Sequence, residues 1–222
     1  MHLSPDSPVG RPSFTLSDDQ IATVIDLLCC GTADARIYLT AGMLEVPITI
    51  LVRKALLRCK RQRELTNIQI GGEYELLDTE TENADIEGRI DIILQFLHQF
   101  GDEDAYLGVE CKRVSPDESS LNLRYVTQGV DRFATGQYAE GHHWGVMLGY
   151  VLALPIGNLV TGIDSRIRER YGAAAGMDAG SEHPIALSLR GSTLPQNDSG
   201  HVIRLIHLFI DMTTAAPEAS LS

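Results

Sequence analysis

The sequence lacks most of the features that commit a chain to a familiar chemistry. Its four cysteines, Cys29, Cys30, Cys59 and Cys111, form no Cys-x-x-Cys pair and have no histidine at a spacing suited to structural zinc. That pattern favours buried thiols in a reducing compartment over a metal-stapled or disulfide-stapled fold. No apolar run approaches the ~18 residues of a membrane span, and Met1 to Gly10 lacks the basic and apolar regions of a signal peptide. The expectation is a soluble, cytoplasmic protein with no membrane partner. Gly71-Gly72 belongs to neither a P-loop nor a dinucleotide fingerprint, no Gly-x-Ser-x-Gly frames a serine nucleophile, and no segment repeats. His142-His143, His183, His201 and His207 offer zinc-binding or nucleophile-activating groups, but without a nucleophile motif a histidine-based hydrolase is the lesser reading, and adjacent histidines in a polar turn are expected to face solvent.

Positive charge is also scarce. Eighteen Lys and Arg stand against 30 Asp and Glu, for a net charge of -12, which opposes binding to a phosphate backbone. The cations that exist are concentrated: Arg53, Lys54, Arg58, Lys60, Arg61 and Arg63 fall within eleven residues that hold no acid. The same stretch carries Ile48, Leu51, Val52, Ala55, Leu56 and Cys59 at helical spacing, so an amphipathic helix with a cationic flank is expected. Solvated cations favoured near a helix C-terminus and a phosphate-tracking surface both account for that flank.

At 222 residues the chain suits one domain, here expected over 17–222 behind a Pro- and Ser-rich tail at 1–16. Its most informative stretch is Gly88 to Phe96, followed after a polar break by Tyr106 to Val114. Both read as largely buried strands, yet Asp91, Glu110 and Lys112 sit in their apolar middles. His98 to Asp104 is short enough to be a hairpin loop. With a turn near Gly101, antiparallel partners sum to about 202, which sets Asp91 opposite Glu110 or Cys111. Two carboxylates so placed repel by about 4 kcal/mol at ~4 Å and an effective dielectric near 20. A hard divalent cation such as Mg²⁺ removes that penalty, because it is held by one or two carboxylates plus water and phosphate oxygens. Lys112 shares the Glu110 face by the period of two. An exposed polar strand face is the competing reading, but Ile90, Ile92, Val109 and Cys111 leave no clean polar face.

Asp91, the 18-residue gap, and then Glu110-Cys111-Lys112 resemble the core of the PD-(D/E)XK nuclease superfamily, with Ile90 in place of the proline of that motif. The resemblance covers about 43–153. It implies a restriction-endonuclease-like fold, α/β with a central mixed β-sheet flanked by helices. It implies a Mg²⁺-dependent nuclease, with Mn²⁺ as a substitute, that hydrolyses phosphodiester bonds of DNA and leaves a 5′ phosphate. Asp91 and Glu110 would hold the metal, and Lys112 would position or activate the attacking water. Glu45, on a helix whose Pro47 suits a first turn, would be a third acid; Glu73 and Glu75 on the expected strand Ile68 to Leu77 compete for that role. Gln128 and Arg132, one turn apart on an expected helix from Leu123 to Ala139, would position substrate. Arg89 is placed to pair with a carboxylate of the site.

The remaining expectations are a helix capped by Ser17 and running through Leu28, an acidic connection from Asp78 to Glu87, and a central strand Trp144 to Ala153. A short helix Ile163 to Tyr171, a long loop Gly172 to Gly200 and a last strand His201 to Met212 complete the chain. An alternative of a different class is a non-catalytic module that keeps the nuclease fold to bind nucleic acid or protein. The acidic balance also suits a nuclease that needs a homo-oligomer or a basic protein partner to assemble its groove.

Overall fold

In a computed structural model, residues 14–77, 86–196 and 200–214 are described. The chain is α/β, with a six-stranded mixed sheet between two layers of helices. Strands β1 (Ile68–Leu77), β2 (Ile86–Phe96), β3 (Leu107–Val114), β4 (Trp144–Val151), β5 (Ser188–Gln196) and β6 (His201–Asp211) lie in the order β1-β2-β3-β4-β6-β5. The β1–β2, β2–β3 and β5–β6 pairs are antiparallel, whereas β3, β4 and β6 run parallel. Helices α1 (Asp18–Arg36) and α2 (Glu45–Gln62) cover one face, and α3 (Ser119–Tyr125), a π-helical turn (Val126–Val130), α4 (Asp131–Ala134) and α5 (Gly157–Tyr171) cover the other.

The parallel strands are apolar on both sides because each face is buried under helices. Ile92, Leu94, Val109, Cys111, Val146 and Leu148 pack toward α1 and α2, while Ile93, Val114, Met147 and Phe209 pack toward the α3–α5 layer. Helix α1 starts at a capping box, in which Ser17 Oγ accepts from Gln20 N–H and Gln20 Oε1 accepts from Ser17 N–H. It continues two turns past the expected end at Leu28. The extra turns bury Cys29, Thr32 and Ala35, and Gly31 lets the helices approach so closely that a Cβ there would lie 2.5 Å from Leu56 Cδ2. All four cysteines are free, three of them buried, with Cys30 and Cys59 Sγ 2.7 Å apart across the α1–α2 contact. Burial pushes the Cys29 and Cys59 thiols up to about 12.

Three expectations are corrected. Gly172 to Gly200 is not one loop, since it contains β5. Helix α5 begins at Gly157 rather than Ile163. The helix expected to reach Ala139 stops at Ala134, where Gly136 takes a positive φ of 75° and Tyr138 N–H bonds back to Arg132 C=O. Residues 1–13 of the expected tail and the acidic connection 78–85 lie outside the described residues, while Phe14 and Leu16 are buried, Phe14 stacking on His142, which is itself buried rather than facing solvent as expected.

Candidate active site

Strand β2 stays paired with β1 over nearly its full length, but it pairs with β3 only from Ile92↔Val109 to Leu94↔Leu107. The register sums to 201, one less than the turn arithmetic gives, and the ladder ends immediately before Asp91. Beyond that point the strands part, and β3 loses its partner on that side. Asp91 fills the gap: its Oδ2 accepts the Cys111 N–H at 2.8 Å, taking the place of a ladder bond.

Glu110 and Lys112, two residues apart on β3, share a face as expected. Glu110 is only 1 % exposed and Lys112 7 %. Lys112 Nζ donates to Glu110 Oε1 at 2.6 Å, to Cys111 C=O at 3.0 Å and to Glu45 Oε1 at 3.2 Å. Glu45 is the first residue of α2, whose N-cap Leu44 offers no side-chain cap. Its carboxylate turns to the sheet, where Oε2 also accepts the Arg113 N–H at 3.0 Å. Arg113 in turn reaches Met43 C=O through Nη1 at 3.4 Å.

From the opposite helical layer, Arg132 Nη1 donates to Glu110 Oε1 at 3.1 Å and to the Tyr138 hydroxyl. The Arg132 guanidinium lies 5.1 Å from the Tyr138 ring centroid. Tyr138 OH donates to Arg89 C=O, two residues before Asp91. The π turn brings Lys112 and this layer together, since Gly129 within it lies beside the Lys112 stem and Met147.

The electrostatics follow from burial. Desolvation pushes Glu110 up to about 7, with Lys112 pulling the other way and Asp91 adding to the rise. Asp91 is also raised, first by burial, against the pull of Lys112 and its bond from Cys111. Burial alone would lower Lys112, but the charges of Glu110, Glu45 and Asp91 outweigh it and hold the amine as an ammonium. With these carboxylates around it, Lys112 is a cation and hydrogen-bond donor.

A divalent metal is tested by the donor set. Glu110 Oε2 is buried and has no hydrogen-bond partner, an orphan acceptor of the kind a bound ion satisfies. Asp91 and Glu110 are hard oxygen donors, and Asp91 is close enough to raise the pKa of Glu110. Among the described residues no three His, Cys, Asp or Glu side chains converge on one ion position. The residues therefore fit an ion that takes two protein carboxylates and completes its shell with water and phosphate, as Mg²⁺ does.

Of the residues singled out from sequence, Glu45, Asp91, Glu110, Lys112 and Arg132 come together here. Glu73 and Glu75 do not: Glu73 is exposed, and Glu75 pairs with Arg89 at 2.8 Å, which leaves the site carboxylates free of Arg89. Gln128 is exposed, and its side chain reaches none of the site residues. Gln128 lies within the π turn Val126–Val130 and Arg132 just beyond it, and of the two it is Arg132 that reaches Glu110. Tyr138 and Arg113 are participants that sequence reasoning missed. Gly136, the helix stop that folds Tyr138 back onto Arg132, was the available signal for the first; nothing in the spacing marked the second. Comparison with family models, with curated proteins and with solved structures finds no match.

Proposed function

We propose that the chain is a metal-dependent nuclease that hydrolyses phosphodiester bonds, with DNA as substrate. One observation carries the reading: a carboxylate that is 1 % exposed, Glu110, keeps one buried oxygen without a partner while standing beside a second, half-buried carboxylate, Asp91. Such burial costs several kcal/mol per ion, and a hydrophobic pair of the same volume would serve the fold as well or better. A cation-binding role accounts for retaining it.

In this reading Asp91 and Glu110 hold Mg²⁺, or Mn²⁺ in its place, with Glu45 as the third acid behind Lys112. A bound divalent ion supplies Lewis acidity toward a phosphoryl oxygen and lowers the pKa of water. The chain's own side chains do the rest. Lys112 keeps its charge and donates toward negative charge that develops on the phosphoryl group. Arg132, a third exposed, uses Nη1 on Glu110 and Tyr138, so its other N–H groups are available to a phosphate oxygen. Tyr138 fixes the guanidinium plane, and the Asp91 bond to Cys111 fixes the opening between β2 and β3. The resemblance to PD-(D/E)XK nucleases supports the same assignment of roles.

Incubating purified protein with supercoiled plasmid in Mg²⁺, Mn²⁺ or EDTA tests the proposal. Nicking or linearisation that requires the ion is the expected result. An absence of cleavage with every ion, by protein shown to be folded, would transfer the assignment to a non-catalytic module that keeps this fold, which the net charge of -12 favours.

A further inference from the structure

The basic segment of α2 is not used by the site described above. Glu45, at the helix start, reaches the site through Lys112 and the Arg113 N–H, and at 1.5 Å per residue Arg53 to Arg63 lie about 12 to 27 Å further along the axis. The outward face of this helix has its own pattern. Val46, Ile50 and Leu57 are 56 %, 39 % and 40 % exposed, and at 100° per residue they fall within about 40° of arc, opposite the buried row of Ile48, Val52, Ala55 and Cys59. Arg53 and Lys60 flank this stripe on one side, and Lys54 and Arg61 on the other.

None of these four cations has an ion-pair partner among the described residues, although the chain holds 30 acids to 18 bases. Arg58, on another side of the helix, is the contrast: it is bound to Asp34 at 2.7 Å. Arg53 lies against the backbone of Gly72 on the edge strand β1, where a Cβ would collide with its guanidinium.

We propose that this face is a docking surface for an acidic amphipathic segment of a partner protein. Its apolar side chains would cover Val46, Ile50 and Leu57, and its Asp and Glu residues would meet the two cationic flanks. The charge pattern selects the occupant. A second copy applied through the same face would set cation against cation. A phosphate backbone satisfies the flanks but has nothing apolar to lay on the stripe. A broad anionic surface, duplex or membrane, would also meet the acidic remainder of a chain of net charge -12, whereas one narrow segment touches this face alone. The face begins at Val46, next to Glu45, so an occupant borders the carboxylate site without depending on its activity.

The probe is a labelled synthetic peptide with leucines four and seven residues apart and glutamates around them, read by fluorescence anisotropy against an isomer of the same composition with the leucines scattered. The ordered peptide is expected to bind, and the scattered one to bind at least about tenfold more weakly. Ile50→Glu and, separately, a Lys54→Glu/Arg61→Glu pair, all at exposed positions and checked for native circular dichroism, are each expected to weaken binding by about tenfold or more. Equal binding of the two peptides, binding unchanged in the variants, or no binding overturns the proposal. So does a loss in the same variants of affinity for a short DNA duplex or for vesicles of anionic lipid, with the peptide indifferent.

Discussion

Lys112 is held between two carboxylates, by bonds of 2.6 Å to Glu110 and 3.2 Å to Glu45, and the three side chains have to be judged together. Removing the amine alone leaves Glu110 buried with Arg132 as its remaining cation. Lys112→Met is therefore expected to lower stability in urea by about 3–5 kcal/mol, and adding Glu110→Gln to recover much of that loss, because an unpaired buried charge costs more than a missing pair. If the double variant is no more stable than Lys112→Met, the burial of charge is not what Lys112 offsets. His142 gives a second check at this scale. It is buried, its Nδ1 is 2.8 Å from Tyr106 C=O, and burial lowers its pKa to about 4. A depressed histidine favours the fold fully above its unfolded pKa of about 6.5, and that contribution falls away with acid because the unfolded chain takes up the proton first. Between pH 6.5 and 4 the wild type should thus lose about 3 kcal/mol more stability than His142→Gln. Parallel pH profiles for the two would show that His142 is not held neutral.

Elements were readable where local pattern and burial agree, and misread where they part. Strand β1 has the expected bounds because Ile68 to Leu77 is ended by a run of acids, and the hairpin register came within one residue because loop length determines pairing. Strand β5 was hidden by Gly191 and Pro195, which lower strand propensity; both are tolerated because β5 is an edge strand with one pairing side. The end of α1 depended on contacts with α2 that no local window contains. Asp91, Glu110 and Lys112 were legible as a set because charges in apolar strands are conspicuous, whereas the π turn beside Lys112 leaves no mark in the spacing. The parting of β2 from β3 is the element-scale feature that makes the site, and it can be probed through one amide. Asp91→Asn keeps an acceptor for the Cys111 N–H and should keep its slow hydrogen exchange while losing activity. Asp91→Ala should lose both, at a cost of about 1–3 kcal/mol for the orphaned donor. Fast exchange at Cys111 already in the wild type would contradict the bond at 2.8 Å.

For the whole molecule, two core layers enclose a sheet whose β2–β3 opening gathers residues from α2, β2, β3 and α4. No helix among the described residues is long and apolar enough to cross a membrane. The acidic total of -12 and the cationic face of α2 divide the surface by charge, so in the proposed nuclease a substrate phosphate would be attracted by the site itself rather than by the molecule's field. The most direct measurement is the rate of plasmid cleavage with saturating Mg²⁺ for wild type, Asp91→Ala, Lys112→Ala and the double variant. Side chains that work as one catalytic unit lose nearly everything at the first removal. The account predicts that each single variant falls by about a thousandfold or more and that the double falls little further. Cleavage near the wild-type rate in either folded single variant would contradict it.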